Sequence, residues 1–285
     1  MKKALTLSIA CVAVALSALL LVGCSNGGSS SSASSSAASS AADASTDTTL
    51  IVGFDNSYPP YGFIGDDGQY TGFDLDLAQA VADYYGWDVE LMPIDWDAKD
   101  ALLEQGTVNC IWNGFTMEGR EDKYTFSDPY MLNEQVLVVK ADSGITSEDD
   151  LAGKVVITQI DSAALDVLEG DKEDLTATFQ NLDTISDYNN AFMQLEAGTV
   201  DAVACDLSIA AYQIAANPGV YVQLTEPLSS EHYAVGVAKT ADGQDLAEQI
   251  NAALKALDAD GAVKEICEKY ADYGVTYDNW VLGQN

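Results

Sequence analysis

The chain has 285 residues, with 45 acidic side chains against 12 basic ones and a single histidine, for a formal net charge of −33. So acidic a chain repels polyanions, which excludes nucleic acid and anionic membrane surfaces as partners of the folded part. Five cysteines without a CxxC pair, and one histidine with neither a cysteine nor a second histidine nearby in sequence, exclude a disulfide framework and a zinc finger, and no metal or cofactor is expected.

Residues 1–23 read as an export signal. Lys2 and Lys3 form its charged start and Ala4 to Leu20 its mostly apolar core. The tetrapeptide Leu21-Val22-Gly23-Cys24 looks like a bacterial lipobox, in which the chain is cut before the cysteine and the thiol takes up lipid. Cys24 is therefore the expected lipid anchor and the only attachment to the membrane, on its extracytoplasmic face. Residues 24–49 are rich in serine and alanine and offer almost nothing to bury, so they read as a disordered tether. As a random coil it would reach roughly 25–30 Å.

Leu50 to Phe54 is an apolar run of strand length, followed by the Asx- and Pro-rich loop Asp55-Asn56-Ser57-Tyr58-Pro59-Pro60-Tyr61. Gly65-Asp66-Asp67-Gly68 marks a hairpin turn. A helix opens at Gly72-Phe73-Asp74-Leu75-Asp76, with Asp74 as its expected N-cap, an apolar stripe of Leu75, Ala78, Val81 and Ala82, and a stop at Gly86. Val89 to Ile94 is the next strand, Ala98 to Glu104 the next helix, and Cys110-Ile111-Trp112 the end of a buried strand. This alternation predicts a mostly parallel sheet with helices on its faces, in which ligands bind beyond the carboxyl ends of the strands. The Asp55–Tyr61 loop, Trp96 and the turn Asn113-Gly114-Phe115-Thr116 then share one rim.

Just past that rim stands Arg120, the only arginine in the chain. A guanidinium grips a carboxylate with a planar fork of donors that an ammonium cannot reproduce, so a lone arginine beside a polar turn suggests an anion site. The alternative is an exposed side chain paired with Glu118, Glu121 or Asp122.

The segment Leu103-Glu104-Gln105-Gly106-Thr107-Val108-Asn109 recurs as Leu195-Glu196-Ala197-Gly198-Thr199-Val200-Asp201, and each copy leads into an apolar run containing a cysteine. Each copy reads as a helix, a glycine stop and a buried strand. The runs end at Asn113 and at Asp206, which suggests two similar α/β lobes, each placing a polar group at a strand's end. In the second half, Val155 to Thr158 reads as a strand and Asp161-Ser162 precedes a helix from Ala163 to Leu168; Ser162 either caps that helix or offers its hydroxyl to an anion. Phe179 to Leu182 reads as another strand and Tyr188 to Leu195 as another helix. Cys110 and Cys205 read as small buried hydrophobes. Gln135–Lys140 and His232–Ala238 lie at the lobe boundaries and would let the lobes hinge if both cross.

Several stretches together resemble the family-3 bacterial solute-binding proteins of polar amino acid ABC transporters. Gly72-Phe73-Asp74-Leu75-Asp76 is similar to that family's G-F-D-[IVL]-D signature, Asp55 to Pro60 to its first loop, Phe126-Ser127-Asp128-Pro129-Tyr130 to its F-S-x-P-Y segment, and Ser147 to Lys154 to its S-x-x-D-L-x-G-K entry to lobe 2. The resemblance implies an α/β, two-lobe Venus-flytrap fold of the type II periplasmic-binding-protein kind with two hinge crossovers: residues 50–137 plus 235–285 as lobe 1 and 138–234 as lobe 2. It implies that Tyr58 and Trp96 sandwich a free amino acid, that Asn113, Gly114 and Thr116 line its backbone end, and that Arg120 clamps the carboxylate. Asp206 would receive the ammonium, Asp55 would lie near the amine or side chain, and Gln159 and Ser162 would complete the site from lobe 2. Two departures stand out. Thr116 and Arg120 are four residues apart where the family has five, and Gln159-Ile160-Asp161-Ser162-Ala163 replaces the usual Q-x-G-[ST]-[ST]. The implied protein is a monomeric, lipid-anchored binding protein that hands a polar or cationic amino acid to permease subunits and is not an enzyme. The alternatives on the same fold are a cyclohexadienyl dehydratase-like enzyme and a ligand-sensing domain.

Overall fold

A computed structural model describes residues 48–283. The expected signal, Cys24 and nearly all of the expected tether lie outside the described residues; Thr49, grouped with the tether, is the first residue of a strand. No helix among the described residues is long and apolar enough to cross a membrane.

Two sheets carry the fold. In the first, the strands run in the order Asp88–Pro93, Thr49–Phe54, Cys110–Ile111, Gly236–Val237 and Thr125–Phe126. The first three are parallel, and Gly236–Val237 is antiparallel to both its neighbours. In the second the order is Asn181–Ile185, Val155–Gln159, Ala202–Asp206, Met131–Lys140 and Tyr221–Gln223, with Ser229–Tyr233 also pairing to Met131–Lys140. The strand expected over residues 179–182 begins later, because a short helix at Glu173–Thr176 and its closing turn use the chain up to Phe179.

The internal repeat occupies the same place in both sheets. Gly106 and Gly198 both have φ near +70°, the left-handed conformation that ends a helix at little cost only for glycine. The polar residue that follows then ties its strand to the neighbour. Asn109 accepts from the Ile51 amide at 2.8 Å, as Asp201 does from the Val155 amide at 2.9 Å. Both repeat strands therefore lie parallel to the sheet's leading strand, and their carboxyl ends deliver Asn113 and Asp206 to the space between the lobes.

Met131–Lys140 pairs along its whole length within the second sheet, so the division expected after residue 137 falls inside a continuous strand. The chain leaves the first sheet after Phe126 and returns to it at Gly236, and these two crossings bond to each other. The Ser127 amide donates to the Val235 carbonyl at 2.9 Å, the Val235 amide to the Ser127 hydroxyl at 2.9 Å, and the Tyr130 amide to the Tyr233 carbonyl at 2.9 Å. The long helix Ala241–Ala259 turns Ala247, Ile250, Ala253 and Leu254 inward, sharing a core with Leu77, Ala78, Val81 and Ala82 of helix Phe73–Tyr85. The C-terminal part thereby completes the first lobe.

Candidate functional site

The rim of the first lobe is fixed from beneath by Asp74. The helix start makes this residue look like a cap, but Gly72 holds the cap position, and the Asp74 carboxylate is fully buried. It accepts from the Gly114 amide at 2.5 Å and from the Tyr130 hydroxyl at 2.8 Å. Burial pushes its carboxyl up to about 7 against the pull of these donors. The expected capping role is thus corrected: Asp74 orients the Asn113–Thr116 turn and takes up the Gly114 N–H itself. Gly114 has φ +55°, and a Cβ there would lie 3.0 Å from the Tyr58 ring and 3.2 Å from that of Tyr233. Asn113 accepts from the Asp55 amide at 2.7 Å, joining the turn to the first loop.

Arg120 is buried, 8% exposed, and not paired with its sequence neighbours. The turn Met117–Arg120 is closed by the Arg120 amide on the Met117 carbonyl at 3.1 Å, and Gly119 has φ +78°. Across this turn the guanidinium folds back, Nη1 donating to the Thr116 carbonyl at 3.2 Å over the Phe115 ring. Nη2 crosses to the other lobe, donating to the Asp161 carbonyl at 3.3 Å and to Asp166 Oδ2 at 2.8 Å. The Asp161 carbonyl also accepts from Trp96 Nε1 at 3.2 Å and from Lys99 Nζ at 3.4 Å. Lys99 is buried, and burial followed by the nearby Arg120 charge lowers its ammonium's pKa. Asp161 is the one non-glycine residue with positive φ among the described residues, at +55°. It stands where the resemblance places a glycine, and this backbone turns its carbonyl toward three donors of the opposite lobe. Lys99, Arg120, Asp161 and Asp166 line a cavity of about 400 Å³.

Asp206 and Glu231 form the opposing pole. Both are buried, and both accept from the same two amides: Asn133 Nδ2, at 2.9 and 2.8 Å, and Gln135 Nε2, at 2.7 Å each. Tyr233 adds a hydroxyl to Asp206 at 3.1 Å, and Thr116 donates its hydroxyl to Glu231 at 2.7 Å across the lobes. Strand register explains the meeting, since Glu231 lies opposite Asn133 and Asp206 opposite Gln135 on the two edges of Met131–Lys140. Burial raises both carboxyls, and the neighbouring Asp206 charge adds to the rise at Glu231, which reaches about 7.

At the mouth of the cleft, Gln159 Nε2 donates to Asp55 Oδ2 at 2.7 Å and to the Ser186 carbonyl at 2.8 Å. Burial raises the Asp55 carboxyl. Asp55, Asp95, Asp97 and Asp187 line a cavity of about 290 Å³ beside Trp96. Tyr58 packs among Tyr61 and Tyr188, and its hydroxyl lies 3.3 Å from that of Tyr233. Ser162 is the N-cap of helix Ala163–Glu169; its hydroxyl accepts from the Leu165 amide at 3.1 Å and lies 3.2 Å from Thr158 Oγ1. Cys110, Cys205 and Cys267 are free and buried.

Asp55, Tyr58, Trp96, Asn113, Gly114, Thr116, Arg120, Gln159, Ser162 and Asp206 all lie at the facing surfaces of the two lobes or directly beneath them. Sequence reasoning missed Lys99, Asn133, Gln135, Asp161, Asp166 and Glu231. Asn133 and Gln135 carried a signal, being uncharged polar side chains two apart, and so on one face, at the head of the apolar run Val136–Val139.

The description "Bacterial extracellular solute-binding proteins, family 3" matches residues 50–273. An L-cystine-binding protein, TcyJ, of Escherichia coli strain K12 is 32% identical over 80% of this chain and 84% of its own length. A probable histidine-binding protein of Neisseria gonorrhoeae is 27% identical over 95% and 96%. Among solved structures, an ABC uptake transporter substrate-binding protein from Streptococcus pneumoniae with bound histidine is 37% identical, with a TM-score of 0.76 over 80% of this chain and 94% of that one. An ancestral arginine-binding protein bound to arginine is 35% identical, with a TM-score of 0.71 over 78% and 97%.

Proposed function

The chain belongs to the bacterial extracellular solute-binding proteins of family 3, and from that premise we propose that it captures a free amino acid between its lobes and delivers it to the permease subunits of an ABC transporter. The observation that carries this reading is the opposition of Arg120 on one lobe to Asp206 on the other, with Thr116 between them. A zwitterion needs a cationic fork and a carboxylate, and only the closed pair of lobes offers both. The Asp166 carboxylate on Arg120 displays the chemistry the fork accepts; its side chain is 64% exposed and able to swing out to solvent, which leaves the guanidinium to a ligand carboxylate. Tyr58 and Trp96 supply aromatic surface for the apolar part of the side chain. The four carboxylates at the cleft mouth favour a polar or cationic side chain, in keeping with relatives named for cystine, histidine and arginine. Cys24 would carry the lipid that holds this monomeric protein at the outer face of the membrane, by way of the segment up to residue 49.

A thermal-shift screen of the twenty amino acids and cystine tests the reading. A ligand present at a hundred times its Kd stabilises by about 2.7 kcal/mol, so a cognate amino acid raises Tm clearly. A flat response to all of them would refute capture of an amino acid.

A further inference from the structure

The acidic pole holds one carboxylate more than a single ammonium requires. Asp206 and Glu231 sit on different strands, yet one oxygen of each lies within 2.9 Å of both Asn133 Nδ2 and Gln135 Nε2. Two ionised carboxylates this close and this buried repel strongly, so one proton is shared between them. The hydrogen bonds to the pair come from neutral groups: Asn133, Gln135, Thr116, Tyr233 and Tyr58. Beside them, Gln135 Oε1 is buried without a partner among the described residues. It shares an amide with the Nε2 that contacts both acids. Two carboxylates held by neutral donors, beside an orphaned carbonyl oxygen, make a cluster of acceptors whose hydrogen bonds bring no positive charge, which suits a group bringing several N–H bonds and a positive charge.

We propose that Glu231 is a second acceptor for the ammonium of the captured amino acid, sharing it with Asp206, and that this ammonium displaces to solvent the proton the two carboxyls share. The inference rests on the amino acid reading above and deepens it, making capture at this pole an exchange of a proton for an ammonium.

Apart from Asp74, which burial raises to about 7 beneath the Gly114 turn, the surroundings leave few other groups to titrate in that range. Tyr58, Tyr61, Tyr188 and Tyr233 face Asp206 from the first loop, the helix Tyr188–Ala197 and the returning strand, and Cys205 precedes it. Burial pushes all five upward, so they stay neutral around pH 7. Glu118, Asp166 and Asp171 line the cavity that Glu231 borders, His232 pairs with Glu118 on the exposed side of the strand, and Asp55 lies at the cleft mouth. Glu231 reaches about 7, so near that pH the pair gives up about half a proton on binding an ammonium.

The test is calorimetric titration at pH 7 in buffers of different ionisation enthalpy, using L-arginine and L-glutamine, whose side chains do not titrate between pH 5 and 8. Those that bind are expected to release protons, and their affinity to fall on the order of tenfold between pH 7.5 and 5.5. In Glu231→Gln, of nearly the same shape, the release should largely vanish, the pH dependence flatten, and affinity at pH 7.5 drop at least tenfold. Binding to the unaltered protein without proton release overturns this inference alone and needs no variant. Equal release by Glu231→Gln overturns it as well, by placing the proton elsewhere. If no amino acid binds in the thermal-shift screen, the reading it rests on falls and takes it along.

Discussion

Arg120 and Asp74 show how single side chains set this rim. Arg120 makes three hydrogen bonds through its two terminal nitrogens, to Thr116, Asp161 and Asp166. A lysine at this position keeps the charge but not the fork. Arg120→Lys is expected to weaken amino acid binding at least tenfold, since a charge-assisted hydrogen bond is worth about 1.5–3 kcal/mol; calorimetry finding unchanged affinity would remove it from the clamp. Asp74 contacts no ligand in this reading and acts through Gly114. Asp74→Ala strands the Gly114 N–H and the Tyr130 hydroxyl in a buried place, at a cost of about 2–4 kcal/mol, or about 5–15 °C in Tm for a domain of this size. A melting curve unchanged from the parent would show that neither group needs the carboxylate.

The elements explain why the motif Gly72-Phe73-Asp74 has its order. Gly72 adopts φ 148°, ψ 159°, a region open essentially to glycine alone, and a Cβ there would stand 2.1 Å from the Tyr61 carbonyl oxygen. This close approach starts the helix against the first loop, buries Phe73 completely and turns Asp74 toward Gly114. Gly72→Ala is expected to destabilise by more than about 3 kcal/mol, because backbone strain and a backbone clash combine there. Denaturant midpoints equal to the parent's would contradict that account. The two crossings act together in the same way. They are bonded to each other and carry Tyr130 and Tyr233, which reach Asp74 beneath the rim and Asp206 at the acidic pole, so the crossings are tied directly to the site.

Across the whole molecule, the lobes meet through a few directional bonds: Gln159 to Asp55, Trp96 and Lys99 to Asp161, Arg120 to Asp166, and Thr116 to Glu231. A ligand that bridges Arg120 and Asp206 adds to them only when the lobes are together. Small-angle X-ray scattering is therefore expected to show a smaller radius of gyration with amino acid than without, and equal values would argue against closure. Stability should respond to pH in the opposite sense to affinity. Asp74 and Glu231 are both raised to about 7 from the ordinary carboxyl values of 3.8 and 4.5, so the folded state holds more protons than the unfolded chain between these limits. Their contribution is full below pH 4 and is lost as pH rises through 7. With the self-repulsion of a chain of net charge −33 acting the same way, the ligand-free Tm is expected to be higher at pH 5.5 than at 7.5. A Tm that rises with pH over this interval would contradict the raised carboxyls.

Much of this was legible in order along the chain. The alternation of strands and helices, the glycine stops and the repeat ending at Asn113 and Asp206 depend on contacts a few residues apart, which periodicity and capping rules describe. The lone arginine and the polar groups at strand ends marked the rim. What the linear order could not decide was which partner each buried polar group would find. Asp74 fits a helix cap by its position, yet its partners are 40 and 56 residues away. Asp161 looks like a surface turn residue until the opposite lobe brings Trp96, Lys99 and Arg120 to its carbonyl. Glu231 meets Asp206 only because one long strand holds both neighbours in register. Local chain chemistry fixes the elements and their ends; the pairing of charges is fixed by closure of the chain in space, where burial makes every unpaired group expensive.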